Sequence, residues 1–273
     1  MTVKRHLFSY AIVVPFTIVL AFPFFWMFVT SLKPEAQVFD PTKTWRFHPS
    51  LHAYGYLLHD TNYLKWIGNS CFVGVLVVSI TLVVALPAGY ALARLSGRAG
   101  RTLGVAIFLT YLVPPTLLFL PLSRLVSQLR LKDSLWALIL VYPSFTVPFA
   151  TWLLMGFFKT IPQELEDAAL VDGCSRFGAL LRIVFPISLP GILTVVIFAF
   201  SLCVNEFIYA FTFISSSEQR TVSAGIPNDL IRGDVFFWQS LMAATLIPAI
   251  PLALLYNAFL DRFIKGFTGG AFR

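Results

Sequence analysis

Charge is scarce in this chain. Asp, Glu, Lys and Arg supply 12% of its 273 residues, about half the roughly 25% of an average soluble domain. With 58% of residues apolar and 28 of them Phe, a water-soluble globule and a disordered chain are both excluded. Cysteine is scarce too. Cys71, Cys174 and Cys203 make no disulfide framework; Cys71 and Cys203 fall in apolar stretches and read as small hydrophobes, Cys174 in a polar one. The four histidines, His6, His48, His52 and His59, all lie outside the membrane spans delimited below, and Pro49 argues against a helical metal pair from His48 and His52. That distribution speaks against metal or acid–base chemistry, which needs such groups clustered and facing one another. No G-x-x-x-x-G-K-[ST] loop is present, and LSGRAGRT (95–102) has only its flavour, so any energy from ATP must come from a partner. The net charge of +7 comes from 20 basic and 13 acidic residues. The basic ones are scattered around apolar stretches, where they anchor helices, rather than gathered into a nucleic-acid patch.

What is there in abundance is long apolar sequence. About 20 apolar residues cross a hydrocarbon core of about 30 Å. Six stretches free of Asp, Glu, Lys and Arg reach that length: 6–32, 66–93, 102–123, 134–158, 183–205 and 235–260. The fifth is expected to run on to Ile214, enclosing Glu206. Each is too long and too uniformly apolar for a barrel strand. The prediction is an all-α membrane protein, one transmembrane domain over 1–273, with spans of about 7–31, 67–93, 102–123, 135–158, 187–214 and 236–260. MTVKRH and the following run look like a signal peptide, but the run is too long for one and lacks an A-x-A site, so it reads as a retained first span. An inside N-terminus places 11 of the 20 Lys and Arg inside, three of them in the short turn RLSGRAGR (94–101), and short loops weigh most. Trp66, Trp136 and Trp238 then open spans at the outer interface. Both termini are expected to be cytoplasmic.

The polar segment 159–186, KTIPQELEDAALVDGCSRFGALLRIVFP, is patterned. Thr160 and Gln163 suit a capping box, Pro162 a first helical turn, and Glu164, Glu166 and Asp167 the positive end of a helix. Gly173 after Asp172 reads as the helix stop. Ser175 can cap a second helix from Phe177 to about Val184, interrupted by Pro186. A helix lying on lipid is normally rich in Lys and Arg on its polar face. This one is acidic, with the small Ala168 and Ala169 beside the charge, which favours a knob that docks on protein.

This segment resembles the EAA loop of ATP-binding-cassette importer permeases: E-A-A, three residues, G, nine residues, I-x-L-P. Asp167-Ala168-Ala169, Gly173, Ile183, Val184, Phe185 and Pro186 keep every spacing, with Asp167 standing for Glu and Phe185 for Leu. SLKP (31–34), ALPAGYALARL (85–95), WLLMGFF (152–158), PGI (190–192), NEF (205–207) and the tail KGFTGGAFR are similar to the carbohydrate-uptake permeases related to the maltose importer's six-helix subunit, with Val204 where that group commonly has Trp. The resemblance implies a type I importer permease fold with a cytoplasmic helix-turn-helix coupling loop. It implies ATPase-coupling residues at Glu164, Glu166, Asp167, Ala168, Ala169, Asp172, Gly173, Ile183 and Pro186. It also implies a second homologous permease, two ATPase subunits carrying the ATP and Mg, an extracytoplasmic solute-binding protein meeting the outer segments 33–65 and 215–234, and no cofactor on this chain. The solute would be a sugar or sugar-like molecule; a polyol, glycerol phosphate or another small organic solute is the alternative.

Asn205 and Glu206 are the conspicuous intramembrane polar pair. A carboxylate in a span costs about 2.5–3.5 kcal/mol on insertion scales. It lines the solute pathway or makes a structural hydrogen bond to a neighbouring helix; the sequence leaves both open. The span prolines Pro87, Pro114, Pro115, Pro143, Pro148, Pro190, Pro248 and Pro251 read either as hinges or as the ordinary enrichment of membrane helices. A self-sufficient secondary carrier fits less well, because no internal repeat is visible and such a carrier has no need of segment 159–186.

Overall fold

A computed structural model describes residues 2–268; Gly269–Arg273 of the tail motif lie outside them. The helices are α1 (Thr2–Ser31), α2 (His52–His59), α3 (Tyr63–Tyr90, extended to Leu95 by a π-helical turn), α4 (Gly97–Tyr111), α5 (Pro115–Gln128), α6 (Leu135–Val141), α7 (Pro143–Thr160), α8 (Glu164–Val171) and α9 (Arg176–Ala179). A second π-helical turn, Leu180–Val184, leads to α10 (Phe185–Ile187), α11 (Leu189–Asn205), α12 (Ile208–Phe213) and α13 (Val222–Leu230). A two-stranded antiparallel hairpin, β1 (Ile231–Arg232) and β2 (Val235–Phe236), precedes α14 (Trp238–Thr268). Its turn is Gly233-Asp234, with Gly233 at φ 61°, the backbone twist a tight hairpin needs.

Three helical stretches are long and apolar enough to cross a membrane: Val13–Ser31, Tyr63–Leu95 and Leu135–Thr160. The expected straight span 102–123 is instead α4 and α5, bent by 84° where Leu112–Pro114 interrupts the ladder. Pro114 and Pro115 together remove two backbone donors and fix φ, which ends one helix and starts the next. The fifth span is also divided. α11 begins at Leu189, not Ile187, after a 79° bend from the preceding helix, and it ends at Asn205. Counting each bent pair as one crossing gives up to five, and Trp238–Leu254 is a shorter apolar helix.

The described residues form two compact units, one from 2–64 and 225–253, the other from 65–224 and 254–268. In the first, Ser31 Oγ and Tyr54 Oη lie 2.8 Å apart, and Tyr63 Oη donates to Ala244 O at 2.6 Å. Lys33 of the SLKP stretch is buried, its ammonium 5.2 Å from the ring centre of Trp26 and 5.5 Å from that of Phe47. Such contacts return part of what the cation loses with its water.

The second unit holds two apolar clusters. One gathers Val73, Val77, Tyr142, Phe145, Tyr209 and Phe213; the other gathers Ala85, Leu154, Phe158, Ile161, Val184 and Val195. Close helix approach depends on glycine: a Cβ on Gly89 of α3 would sit 3.1 Å from Met155 N and 3.2 Å from Thr151 O on α7. Trp66, expected at a membrane interface, is fully buried and donates its indole N–H to Ser217 O at 2.7 Å. Trp136 is exposed.

Asp133, with φ 58°, ties the segment before α6 to the segment after α12. Its Oδ1 accepts from Ser215 N at 2.9 Å, Ser216 N at 2.8 Å and Ser216 Oγ at 2.9 Å. Those bonds, the Ser216 N–H first, hold its carboxyl below the usual carboxylate range. A depressed folded value means stability that is present above the unfolded value near about 3.9 and lost as pH falls through the folded one. Hydrogen exchange at Ser215 and Ser216, corrected for its intrinsic pH dependence, is therefore expected to accelerate below about pH 4. Asp133→Ala, which removes the acceptor, should exchange fast at every pH; equal protection in both chains at neutral pH would refute the tie.

Candidate functional site: a clamped acidic knob and a cleft between helix breaks

The acidic helix forms where the sequence places it, with different local chemistry. The Thr160–Gln163 capping box is not made: Thr160 Oγ1 turns back to Phe157 O at 2.7 Å, and Gln163 precedes α8 without a side-chain cap. Pro162 lies before the helix rather than in its first turn. Three carboxylates in the first turn, Glu164, Glu166 and Asp167, offset the exposed N–H groups instead. At the other end Gly173 takes φ 87°. Cys174 N donates to Ala169 O at 2.9 Å and Gly173 N to Leu170 O at 3.1 Å, the pair of bonds of a Schellman stop. Ser175 caps α9 by accepting from Gly178 N at 3.1 Å. The helix that follows does not stop at Pro186. It runs through Ile187 and bends at Ser188, because the wide turn at Leu180–Val184 makes room for the proline ring.

The faces of α8 are sharply divided. Glu164, Asp167, Ala168, Asp172 and Gly173 are exposed, and Val171 (87%) and Phe177 (66%) add bare apolar surface beside them. Ala169 and Glu166 point the other way and are buried. They are three apart on one helical face, so neither belongs to the exposed acidic surface the sequence reading assigned them to. Ile183 is half-buried, while Pro186 is exposed in the bent helix.

Glu166 is held by the basic turn. Its Oε1 accepts from Arg94 Nε at 2.6 Å and its Oε2 from Tyr90 Oη at 2.8 Å; Arg94 also donates through Nη2 to Ile161 O at 2.7 Å. Sequence reasoning counted Arg94 only as an orienting charge and overlooked Tyr90. The spacing puts Glu166 on one helical face with Ala169, but only the structure shows that this face packs.

Glu206 occupies a helix break rather than a helix interior. Its backbone is extended (φ −69°, ψ 124°) between α11 and α12. Its Oε1 accepts from Tyr209 N at 3.0 Å; Oε2 accepts from Ala210 N at 3.1 Å and from Tyr142 Oη at 2.7 Å. Ser223 Oγ donates to its carbonyl at 2.6 Å. The carboxylate thus satisfies backbone donors that the break would orphan, while Glu206 also lines the cleft beside it, so the residue has features of both alternatives. Tyr209 Oη reaches Pro115 O at 2.6 Å, joining this break to the one before α5.

Between the two breaks lies a cleft of about 630 Å³. Thr110, Thr116, Ser144, Asn205 and Glu206 give it polar groups, and Tyr111, Phe145 and Phe207 aromatic walls. Asn205 is exposed, with Nδ2 bound to Ser201 O at 2.8 Å. Non-helical backbone at membrane depth is tolerated where it lines a cavity.

Apolar helices long enough to span a bilayer, broken in pairs around a cleft, define a membrane transport component. Residues 85–269 match the family described as the inner membrane component of binding-protein-dependent transport systems, and the chain belongs to that family. The sulfoquinovosyl glycerol transport system permease protein SmoH of Agrobacterium fabrum is 35% identical over 92% of this chain and 88% of its own length. The diacetylchitobiose uptake system permease protein DasC of Streptomyces coelicolor is 30% identical over 92% and 91%. A chain in the crystal structure of a bacterial ABC transporter involved in importing the acidic polysaccharide alginate shares the fold, with TM-score 0.78 and 20% identity over 96% of this chain and 99% of that one.

Proposed function

We propose that this chain is one of two homologous permease subunits of an ATP-binding-cassette importer for a sugar or sugar-like solute. In this reading it crosses the membrane six times, with both termini in the cytoplasm. A binding protein delivers solute to the outer segments 33–65 and 215–234, and a pair of ATPase subunits supplies ATP, Mg and the energy. The observation that carries the reading is the exposed face of α8, where Glu164, Asp167 and Asp172 stand beside Val171 and Phe177. An acidic knob with a bare apolar rim suits a groove on a basic protein surface and is repelled by anionic lipid. The sugar class is supported by the names of the relatives, a sulfoquinovosyl glycerol and a diacetylchitobiose system. Asn205 offers its amide to hydroxyl groups passing the cleft, and Glu206, which ties the helix break together, lines the same cleft.

The test is affinity purification of the tagged chain from its native membrane beside Asp167→Lys, with mass spectrometry of what co-purifies. Breaking a close charge pair at an interface costs about 2–5 kcal/mol, a loss of docking of at least roughly thirtyfold. Wild type should bring a Walker-A ATPase and a second permease, and the variant should lose the ATPase. Wild type recovered alone, or only as a homo-oligomer, would replace this reading with a self-sufficient carrier.

A further inference from the structure

The knob has a second attachment that its chain connections do not provide. Through the backbone, α8 is joined to α7 on one side and to α9 and its continuation on the other. Nothing covalent nearby joins it to α3. The join is made by side chains 72 residues apart in sequence, Arg94 and Glu166. Their side chains are only 10% and 6% exposed, and both Glu166 oxygens are engaged, one by Arg94 and one by Tyr90. Arg94 simultaneously holds Ile161 O, the first carbonyl after α7. Tyr90 rests edge-on against Phe158 of α7, with ring centres 6.3 Å apart. One guanidinium therefore fastens the end of α3, the end of α7 and the inward face of α8 together. A buried pair of this kind gives little net stability against an apolar substitute, yet its fork geometry permits one arrangement and few others.

From this geometry we propose that Glu166 is a positioning residue that makes α8 and the end of α3 move as one body. A displacement of the knob is then delivered to α3 as well as to α7 and α11. Glu166 makes no contact with the docked partner; Asp167, its exposed neighbour, does. The proposal rests on the docking reading above, since it is the partner ATPase that pushes the knob.

The experiment places spin labels at Gln163→Cys and Leu95→Cys, both exposed positions, with Cys71, Cys174 and Cys203 replaced by Ala. The distance between labels is measured by pulsed electron resonance in the purified complex, without nucleotide and with ATP plus vanadate. Wild type should give one narrow distribution that nucleotide does not move. Glu166→Gln, which removes the charge at constant volume, should widen it to at least about twice the wild-type width or split it with nucleotide. Arg94→Lys, which keeps the charge and loses the fork, should do the same, and Tyr90→Phe should stay narrow. Unchanged narrow distributions in Glu166→Gln and Arg94→Lys, with the ATPase still bound, would overturn the linkage and leave the docking reading standing. A wild-type preparation with no ATPase would overturn the docking reading itself. If neither variant accumulates, wild type decides, because a distance that shifts with nucleotide also refutes a rigid link.

Discussion

Arg94→Met is expected to destabilise the subunit by about 3–5 kcal/mol, because it leaves the buried Glu166 carboxyl without its cation. The magnitude comes from desolvation. With Glu166 only 6% exposed, water cannot take over from the guanidinium, and Tyr90 satisfies one oxygen alone. Ile161 O loses its donor in the same substitution. The double variant Arg94→Met, Glu166→Leu should recover much of the loss, since burying two apolar side chains removes both the charge and its demand for a partner. Thermal unfolding of the detergent-purified subunit, compared across wild type, Arg94→Met and the double variant, checks the order. If the double variant unfolded earlier than the single one, the pair would be contributing net attraction rather than avoiding an orphaned charge. The stability order and the label distances ask separate questions: a double variant that is stable should still allow α8 to slip against α3.

Glu206→Ala is the second large effect, expected at about 2–4 kcal/mol. Three donors lose their acceptor: the N–H groups of Tyr209 and Ala210, and the hydroxyl of the fully buried Tyr142. Asn205→Ala, one residue away, should change stability by less than about 0.5 kcal/mol, because its exposed side chain bonds only to Ser201 O of its own helix. The same thermal measurement on both variants separates a cleft residue that also holds the break from one that does not. Equal losses from the two would remove the distinction, and a large loss from Asn205→Ala alone would reverse it.

The residues carry the class of this protein openly. Low charge and long apolar runs lead to a membrane protein without any coordinates, because lipid solvation acts on composition; the step to a permease comes from the resemblance of the D-A-A, Gly173 and Pro186 spacing to a known family. The Schellman stop at Gly173 and the Ser175 cap were legible because each is settled within six residues. The direction of Glu166 was half legible. Its spacing puts it on one face with Ala169, yet the sequence does not say that this face turns inward or that Tyr90 and Arg94 wait there.

Tertiary structure alone decided the rest. An uncharged run such as 102–123 looks continuous because hydropathy averages over a window and ignores direction, whereas Pro114 and Pro115 turn the chain by 84°. Glu206 looked like a polar residue inside a span because the sequence cannot show that the helix ends there. It ends because the Glu206 carboxylate, held by the Tyr142 hydroxyl more than 60 residues away in sequence, and a serine from beyond α12 satisfy the backbone groups that continuation would have satisfied. Local chemistry states what each segment wants, and long-range hydrogen bonds decide which segments are allowed to break.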